Sequence, residues 1–379
     1  MERYITDIVE FTGKRPEPFE GMKKYISTGA LILSNIDNNA VELIEYYSRP
    51  SRADLEVKPG DLVFAKMSNT DKRLIINEET SKYIYSTGFF AVKAKQGVIT
   101  TKCLYYLLGS KNFLDQKDKN STGATQRAIT IDGLSKIKVR IPDYISQKNI
   151  EIILELLDEI VKLRKNQINE YDQLIKSRFV EMFGDVFSRK SKFKTKKIGE
   201  LVISKVERAS KYFDSESEIK YIDISSIDNS NNVITGYTQY FMKDAPSRAQ
   251  QHVKKHDILI STVRPNLNNV AKVQYDFDNL VASSGFCVLR STEIEPEYLF
   301  SFVSRNEFAN YLSSLTTGAS YPAVSDKDIL NIEIPYPPKD KQLEFVNFHR
   351  QVDKLKFAVQ KSLDETQTLF DSLMQKYFG

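Results

Sequence analysis

The chain has 379 residues, with 54 Lys and Arg against 50 Asp and Glu and a net charge of +4. That length accommodates two domains, and 41% hydrophobic with 27% charged residues excludes a disordered or membrane-embedded chain. Cys103 and Cys287 are too few for a disulfide framework, and the small net charge permits a nucleic-acid partner without demanding one.

In chain order, residues 1 to 142 hold short alternating segments such as "KPGDLVFAKM" and "LSKIKVRIP", which predict strands. A short helix, "TTKCLYYLLGSKNFLDQ", lies between them. From Ser146 to Phe183 there is neither Gly nor Pro, and Leu154, Val161, Ile168, Ile175 and Met182 stand seven apart. That spacing predicts a long helix seeking a helical partner, about 57 Å in length. The run "RKSKFKTKK" at 189 to 197 follows as a basic linker. Strands return in "KHDILISTV" and "ILNIEIPYP", with "EPEYLFSFVSRNEFANYLSSL" as short helix. From Lys339 to Phe378 Gly and Pro again vanish, and Phe345, Val352, Val359 and Leu373 form one apolar row beside Leu363, Phe370 and Tyr377. No apolar run nears the roughly 18 residues of a membrane span. The opening "MERYITDIVEFTGKRPEPF" lacks the apolar core of a signal peptide, so a cytoplasmic location without membrane contact is expected.

The two halves are copies. A shift of 195 residues places Gly123-Ala124 on Gly318-Ala319, Ile137 on Ile332, Pro142 on Pro337, Gln147 on Gln342 and Phe183-Gly184 on Phe378-Gly379. Upstream, "RADLEVKPGDLVF" matches "RAQQHVKKHDILI" and "STGFF" matches "SSGFC". Between such anchors the halves diverge, as one scaffold facing two ligands would. The expected fold is α+β: two tandem mixed α/β recognition domains, each followed by a long helix. The helices would pair as an antiparallel coiled coil with approximate twofold symmetry. The boundaries read 1–145 for the first domain, 146–184 for its helix, 185–338 for linker and second domain, and 339–379 for the second helix. Two readers held at a fixed separation suit two half-sites on duplex DNA.

The order of "STGATQRAIT", "VRIPDYISQ" and a Pro-free helix, repeated as "TTGASYPAVS", "EIPYPPKDKQ" and a second such helix, resembles the specificity subunit of type I restriction-modification systems over essentially the whole chain. The first copy departs in having Pro142 alone, and Ser146 and Lys341 precede the two glutamines. The resemblance implies a non-catalytic subunit that reads a bipartite target on double-stranded DNA, with the helices setting the unread gap. Implied partners are methyltransferase subunits, expected as two, and a restriction/translocase subunit. S-adenosylmethionine would belong to the former and ATP with Mg to the latter, and no cofactor is expected on this chain. The glycines agree: no two stand closer than eight residues, which excludes G-x-G and Walker phosphate loops.

Under that resemblance, the loops after matched strands are the candidate DNA contacts. Arg264 could bond guanine, and Asn69, Asn266 or Asn268 adenine, while Lys66, Lys72 and Arg73 suit phosphates. Ser68, Ser261 and Asn269 belong to the same loops, and Thr125, Gln126, Arg127, Ser320 and Tyr321 to the repeated phrase. The competing reading of these loops is a solvated turn. Leu154, Val161, Ile168, Ile175, Val352, Val359, Leu363 and Phe370 are the expected partner-binding row. His252 and His256 have helical zinc-ligand spacing without a third ligand. Glu218-Ile-Lys220 has the outline of a nuclease site but continues into a predicted strand. A free-standing DNA-binding regulator, a single-chain nuclease or methyltransferase, and a coiled-coil scaffold without a DNA role stand as alternatives.

Overall fold

The structure, a computed structural model, describes residues 2–124, 126–185, 187, 190–203, 205–316 and 322–379. Two compact units divide the chain: Met1–Lys165 with Lys361–Gly379, and Asn166–Gln360. Each unit thus takes in part of both long helices. Their apolar residues complete the globular cores, with Ile150, Leu154, Met374 and Phe378 in one unit and Ile175, Phe179, Phe183, Phe345 and Val352 in the other.

In the first unit one sheet runs Val9–Thr12, Phe89–Ala94, Leu62–Ala65, Arg73–Ile75, all antiparallel. A second runs Glu42–Ile44, Lys23–Ile26, Ile84–Ser86, Ala53–Leu55, and its central pair is parallel. The strand Leu62–Ala65 is buried on both faces, which is why "LVFA" reads as a continuous apolar run. Leu62 and Phe64 enter the core shared with the helices, whereas Val63 and Ala65 enter a separate core with Tyr85 and Phe89.

The second unit repeats this plan strand for strand. Its sheets are Val202–Ile203, Phe286–Ser291, Ile258–Ser261, Val270–Lys272 and Thr238–Phe241, Glu218–Ile222, Leu280–Ser283, Ala249–His252. The central pair of its second sheet is again parallel. In both units a strand near the start, Glu2–Tyr4 or Thr195–Lys197, pairs antiparallel with the strand before the long helix, Lys138–Arg140 or Glu333–Pro335.

The short helix expected at 100–116 is two, Thr101–Leu108 and Lys111–Lys119. Gly109 breaks it, with the Arg73 guanidinium occupying the space a Cβ would need, and the Ser110 hydroxyl then caps the next helix by accepting from Phe113 N at 3.3 Å. The long helices span Tyr144–Phe183 and Lys339–Phe378. The first starts two residues before Ser146, because Asp143 accepts from Ser146 N (3.0 Å) and Ser146 Oγ (2.6 Å). Those bonds hold the Asp143 carboxyl below its ordinary range.

Within the second unit, Asp172 pairs with Lys356 and Arg178 with Glu344. Advancing along one helix thus retreats along the other, so these segments run antiparallel.

The repeated glutamines join helix to domain. Gln147 is fully buried: its Oε1 accepts from Thr100 N (2.9 Å) and its Nε2 donates to Val98 O (3.0 Å) and Pro142 O (3.2 Å). Gln342 does the same with Glu295 N (3.0 Å) and Pro337 O (2.9 Å). In each copy one side chain ties the first turn of the long helix to the start of a short domain helix.

The turn before the central strand shows how the copies drifted. Gly60 has φ +87 there, and its counterpart His256 has φ +73, a region costly for a side chain with Cβ. Replacing His256 by Gly is expected to raise stability by about 1 kcal/mol, read as a higher melting temperature of the full chain. A lower melting temperature would show that the imidazole contributes more than the strain removes. His252 instead lies in the strand Ala249–His252 with its Nε2 3.0 Å from Asp278 O, so the two histidines share no helix face. Among the described residues no cluster of His, Cys, Asp and Glu could hold a metal. Glu218-Ile-Lys220 lies in the strand Glu218–Ile222, and the Lys220 ammonium sits 3.2 Å from the Phe277 ring centroid. Cys103 and Cys287 are buried, and burial pushes the Cys103 thiol up to about 12.

Candidate nucleic-acid interface

The two stretches singled out in each half, far apart in sequence, lie side by side. In the first unit the chain leaves Leu62–Ala65 and runs against the repeated phrase. Lys66 N donates to Gly88 O (2.9 Å), Ile129 N to Lys66 O (2.9 Å) and Ser68 N to Arg127 O (3.0 Å), and Met67 bridges Ala128. The second unit makes the same set: Thr262 N to Gly285 O (3.0 Å), Val324 N to Thr262 O (2.9 Å), Arg264 N to Pro322 O (2.9 Å), and Val263 bridging Ala323. One backbone ledge is thus built twice, with different side chains on it. The glycine of the phrase has a turn role: Gly123 has φ +123, and an added Cβ would stand 2.6 Å from Gln126 O. Thr122 and Ala128 exchange two backbone bonds across that turn, at 3.0 and 2.9 Å.

On the first ledge Asn69 and Gln126 are exposed. Asn69 has φ +55 and is held by its N–H donating to Asp118 Oδ1 at 2.9 Å. Lys66 is half-buried with its ammonium 4.4 Å from the Phe90 ring centroid, and burial lowers its pKa. Lys72 Nζ donates to Thr28 O at 2.6 Å, and Ser68 is half-buried. Arg127 is exposed, yet its guanidinium donates to Ser121 O (2.9 Å) and Asp118 O (3.0 Å), securing the end of the helix Lys111–Lys119. On the second ledge Arg264 and Asn266 are exposed, and Asn269 is half-buried. Thr125, Ser320 and Tyr321 lie outside the described residues.

Three candidates are corrected. Arg73 is taken up internally, paired with Asp71 and stacked 4.6 Å from the Tyr105 ring centroid. Ser261 is 2% exposed and its hydroxyl closes a turn onto Val263 O at 2.8 Å. Asn268 turns its amide inward and donates to Ser304 O at 3.0 Å.

Sequence reasoning passed over Lys117, which is 2% exposed. Its ammonium donates to Met67 O (3.1 Å) and Thr70 O (2.6 Å), clamping the reading loop from beneath, and burial lowers its pKa. The signal was its place one turn after Phe113 on the inward face of its helix. The second copy has Leu312 there and holds its loop with Asn232, whose Nδ2 donates to Asn268 O and Val270 O, both at 3.1 Å.

The expected partner row is also corrected. Leu154, Val161, Ile175, Val352 and Leu363 are buried within the chain, Phe370 packs on the first core, and Ile168 and Val359 are half-buried. A seven-residue row marks a buried stripe, and here this chain covers it. The apolar side chains left exposed on the helices include Ile152, Leu156 and Leu163 on the first and Leu343, Leu355 and Phe357 on the second.

A scaffold built twice, with an identical ledge of backbone bonds and unlike side chains upon it, defines a tandem recognition protein. The profile of the type I restriction modification DNA specificity domain matches residues 1–171 and again 190–366. The chain belongs to that family. It is a DNA-specificity subunit of a type I restriction-modification complex, a recognition component and not a catalyst. Among similar proteins, the MjaVIII specificity subunit of Methanocaldococcus jannaschii is 24% identical over 93% of this chain and 85% of its own length. The HindI specificity subunit of Haemophilus influenzae is 27% identical over 43% of this chain and 37% of its own. Of solved structures, a chain from a type I R-M system assembly superposes with TM-score 0.58 at 19% identity, covering 100% of this chain and 97% of that one. The S subunit from M. genitalium gives 0.53 at 16%, covering 100% and 96%. Among the described residues no helix is long and apolar enough to cross a membrane.

Proposed function

We propose that each ledge inspects the bases of one half of the bipartite target, through Asn69 and Gln126 in the first unit and Arg264 and Asn266 in the second. What supports this is the identity of the two backbone ledges beside the difference of their side chains: shared geometry places the reader, and unlike residues read unlike sequences. Lys66 and Lys72 border the first ledge as phosphate contacts. The long helices fix the unread gap and, through their exposed apolar side chains, seat the methyltransferase subunits, two in number. S-adenosylmethionine is then a ligand of those subunits, ATP and Mg belong to the restriction subunit, and the assembly works in the cytoplasm.

The test is methylated-adenine mapping in cells that co-express the partner methyltransferase with wild type, Asn69→Ala or Arg264→Ala. Each variant is expected to relax one base position in one half-site, with discrimination falling by about 1 to 3 kcal/mol, and to leave the other half unchanged. Uniform loss of methylation, or relaxation in both halves, would overturn the assignment.

A further inference from the structure

Beside the first ledge lies a cleft of about 390 Å³ lined by eight residues. It joins the ledge directly, because Thr28 on its wall accepts the Lys72 ammonium at 2.6 Å and the turn Ser86 to Gly88 contributes to both. At five of its eight lining positions the second unit carries the same residue: Tyr25 and Tyr221, Pro50 and Pro246, Ser51 and Ser247, Arg52 and Arg248, Ser86 and Ser283. Outside the matched segments the halves differ, and at this cleft the repetition calls for a cause.

Folding accounts for part of it. Tyr25 and Tyr221 are buried, and the Ser86 and Ser283 hydroxyls accept from Gly88 N (3.1 Å) and Gly285 N (3.3 Å). An added Cβ at those glycines would stand 2.8 Å from Thr28 Cγ2 or 2.9 Å from Ile224 Cδ1, so a neighbouring side chain would have to shift. Pro50 and Pro246 begin the same turn, each carbonyl accepting from Ala53 N or Ala249 N at 2.8 Å. The arginines enter this frame through their backbone carbonyls, with Arg52 O and Arg248 O each accepting at 2.8 Å from Thr87 N and Ser284 N, and the Arg248 charge also reaches the Tyr221 hydroxyl. Both side chains are exposed, and among the described residues neither has an ion-pair or hydrogen-bond partner. The backbone bonds would be made by any residue, so the fold does not explain why both are arginine.

We infer that Arg52 and Arg248 bind the DNA phosphate backbone, one in each half-site, by the same contact. This rests on reading each unit as a DNA reader. A residue kept identical beside ledges that differ must meet what both half-sites share, and two different base sequences share the phosphodiester. Arginine suits it, being permanently charged and able to donate two parallel hydrogen bonds to phosphate oxygens. The alternative common ligand is a methyltransferase subunit, presented once to each unit. Continuity of the cleft with the ledge through Thr28 and Lys72 favours DNA.

The experiment uses the full chain in complex with its methyltransferase subunits and measures DNA affinity across a salt series for wild type, Arg52→Gln, Arg248→Gln and the double variant. Duplexes carry the target, or the target with either half scrambled. Each single variant is expected to weaken binding by the same factor on all duplexes and to reduce the slope of log affinity against log salt by about one, and the double variant by about two. The methylated motif should stay the same, and Arg52→Lys should restore most of the slope. An unchanged slope overturns the inference, as does a changed base preference. Loss of complex assembly with the slope unchanged would assign the arginines to the partner protein, and a fall in melting temperature alone would make them structural. If the wild-type complex itself has no preference between target and scrambled duplexes, the DNA-reading assignment fails first, an outcome distinct from these.

Discussion

Replacing Phe179 by alanine is expected to destabilise the second unit by about 3 to 5 kcal/mol, the largest loss from any single truncation here. Phe179 is fully buried near the end of the first long helix and stacks on Tyr298 with ring centroids 5.1 Å apart. It also meets Phe183 at 5.1 Å and Phe345 at 5.4 Å, edge to face. One ring therefore joins the first long helix, the start of the second and the domain helix Pro296–Val303. Its removal leaves a void bounded by three elements that cannot all collapse into it. The first unit has Met374 at the corresponding place, 8% exposed, and Met374→Ala should cost less because a flexible thioether leaves a smaller, more open gap. Denaturant midpoints of the full chain measure both. A loss below about 1 kcal/mol for Phe179→Ala would mean the aromatic cluster repacks without strain.

Gln147→Leu should cost about 2 to 5 kcal/mol although the two side chains are similar in size, because it strands one part-buried N–H and two carbonyls. Gln342→Leu strands one N–H and one carbonyl and should cost less. Gln147→Glu keeps the acceptor for Thr100 N but places a carboxylate against Val98 O and Pro142 O, so it should not rescue the fold. The ordering of the two leucine variants, read from urea midpoints, is the decisive result. Equal small losses would mean that water replaces the amide at both positions.

The same two glutamines mark what a sequence discloses. Their spacing relative to "STGAT" and "TTGAS" exposed the duplication and the place where each long helix begins, since repeats and missing Gly and Pro are properties of the string itself. Which way a side chain turns is not. Arg73 and Asn268 stand in loops that read as contact surface, yet each finds a partner brought near by folding, Tyr105 for one and Ser304 for the other. Lys117 was hidden for the converse reason: a lysine reads as solvated until two carbonyls close over it. Periodicity likewise disclosed the apolar row of the long helices without saying who covers it. Gly109 and Ser110 divided one expected helix into two because the glycine admits a guanidinium, a demand made by Arg73 from another strand.

The first unit is assembled from residues 1–165 and 361–379, so its core contains Met374 and Phe378 beside Ile150 and Leu154. Translation separates these groups by the whole of the second unit. A nascent chain carries the first recognition domain without Met374 and Phe378 while residues 166–360 are synthesised. Unit two can close its core earlier, the reverse of the order in which the two domains begin. The interval exposes an apolar surface to chaperones and to neighbouring chains on the same message.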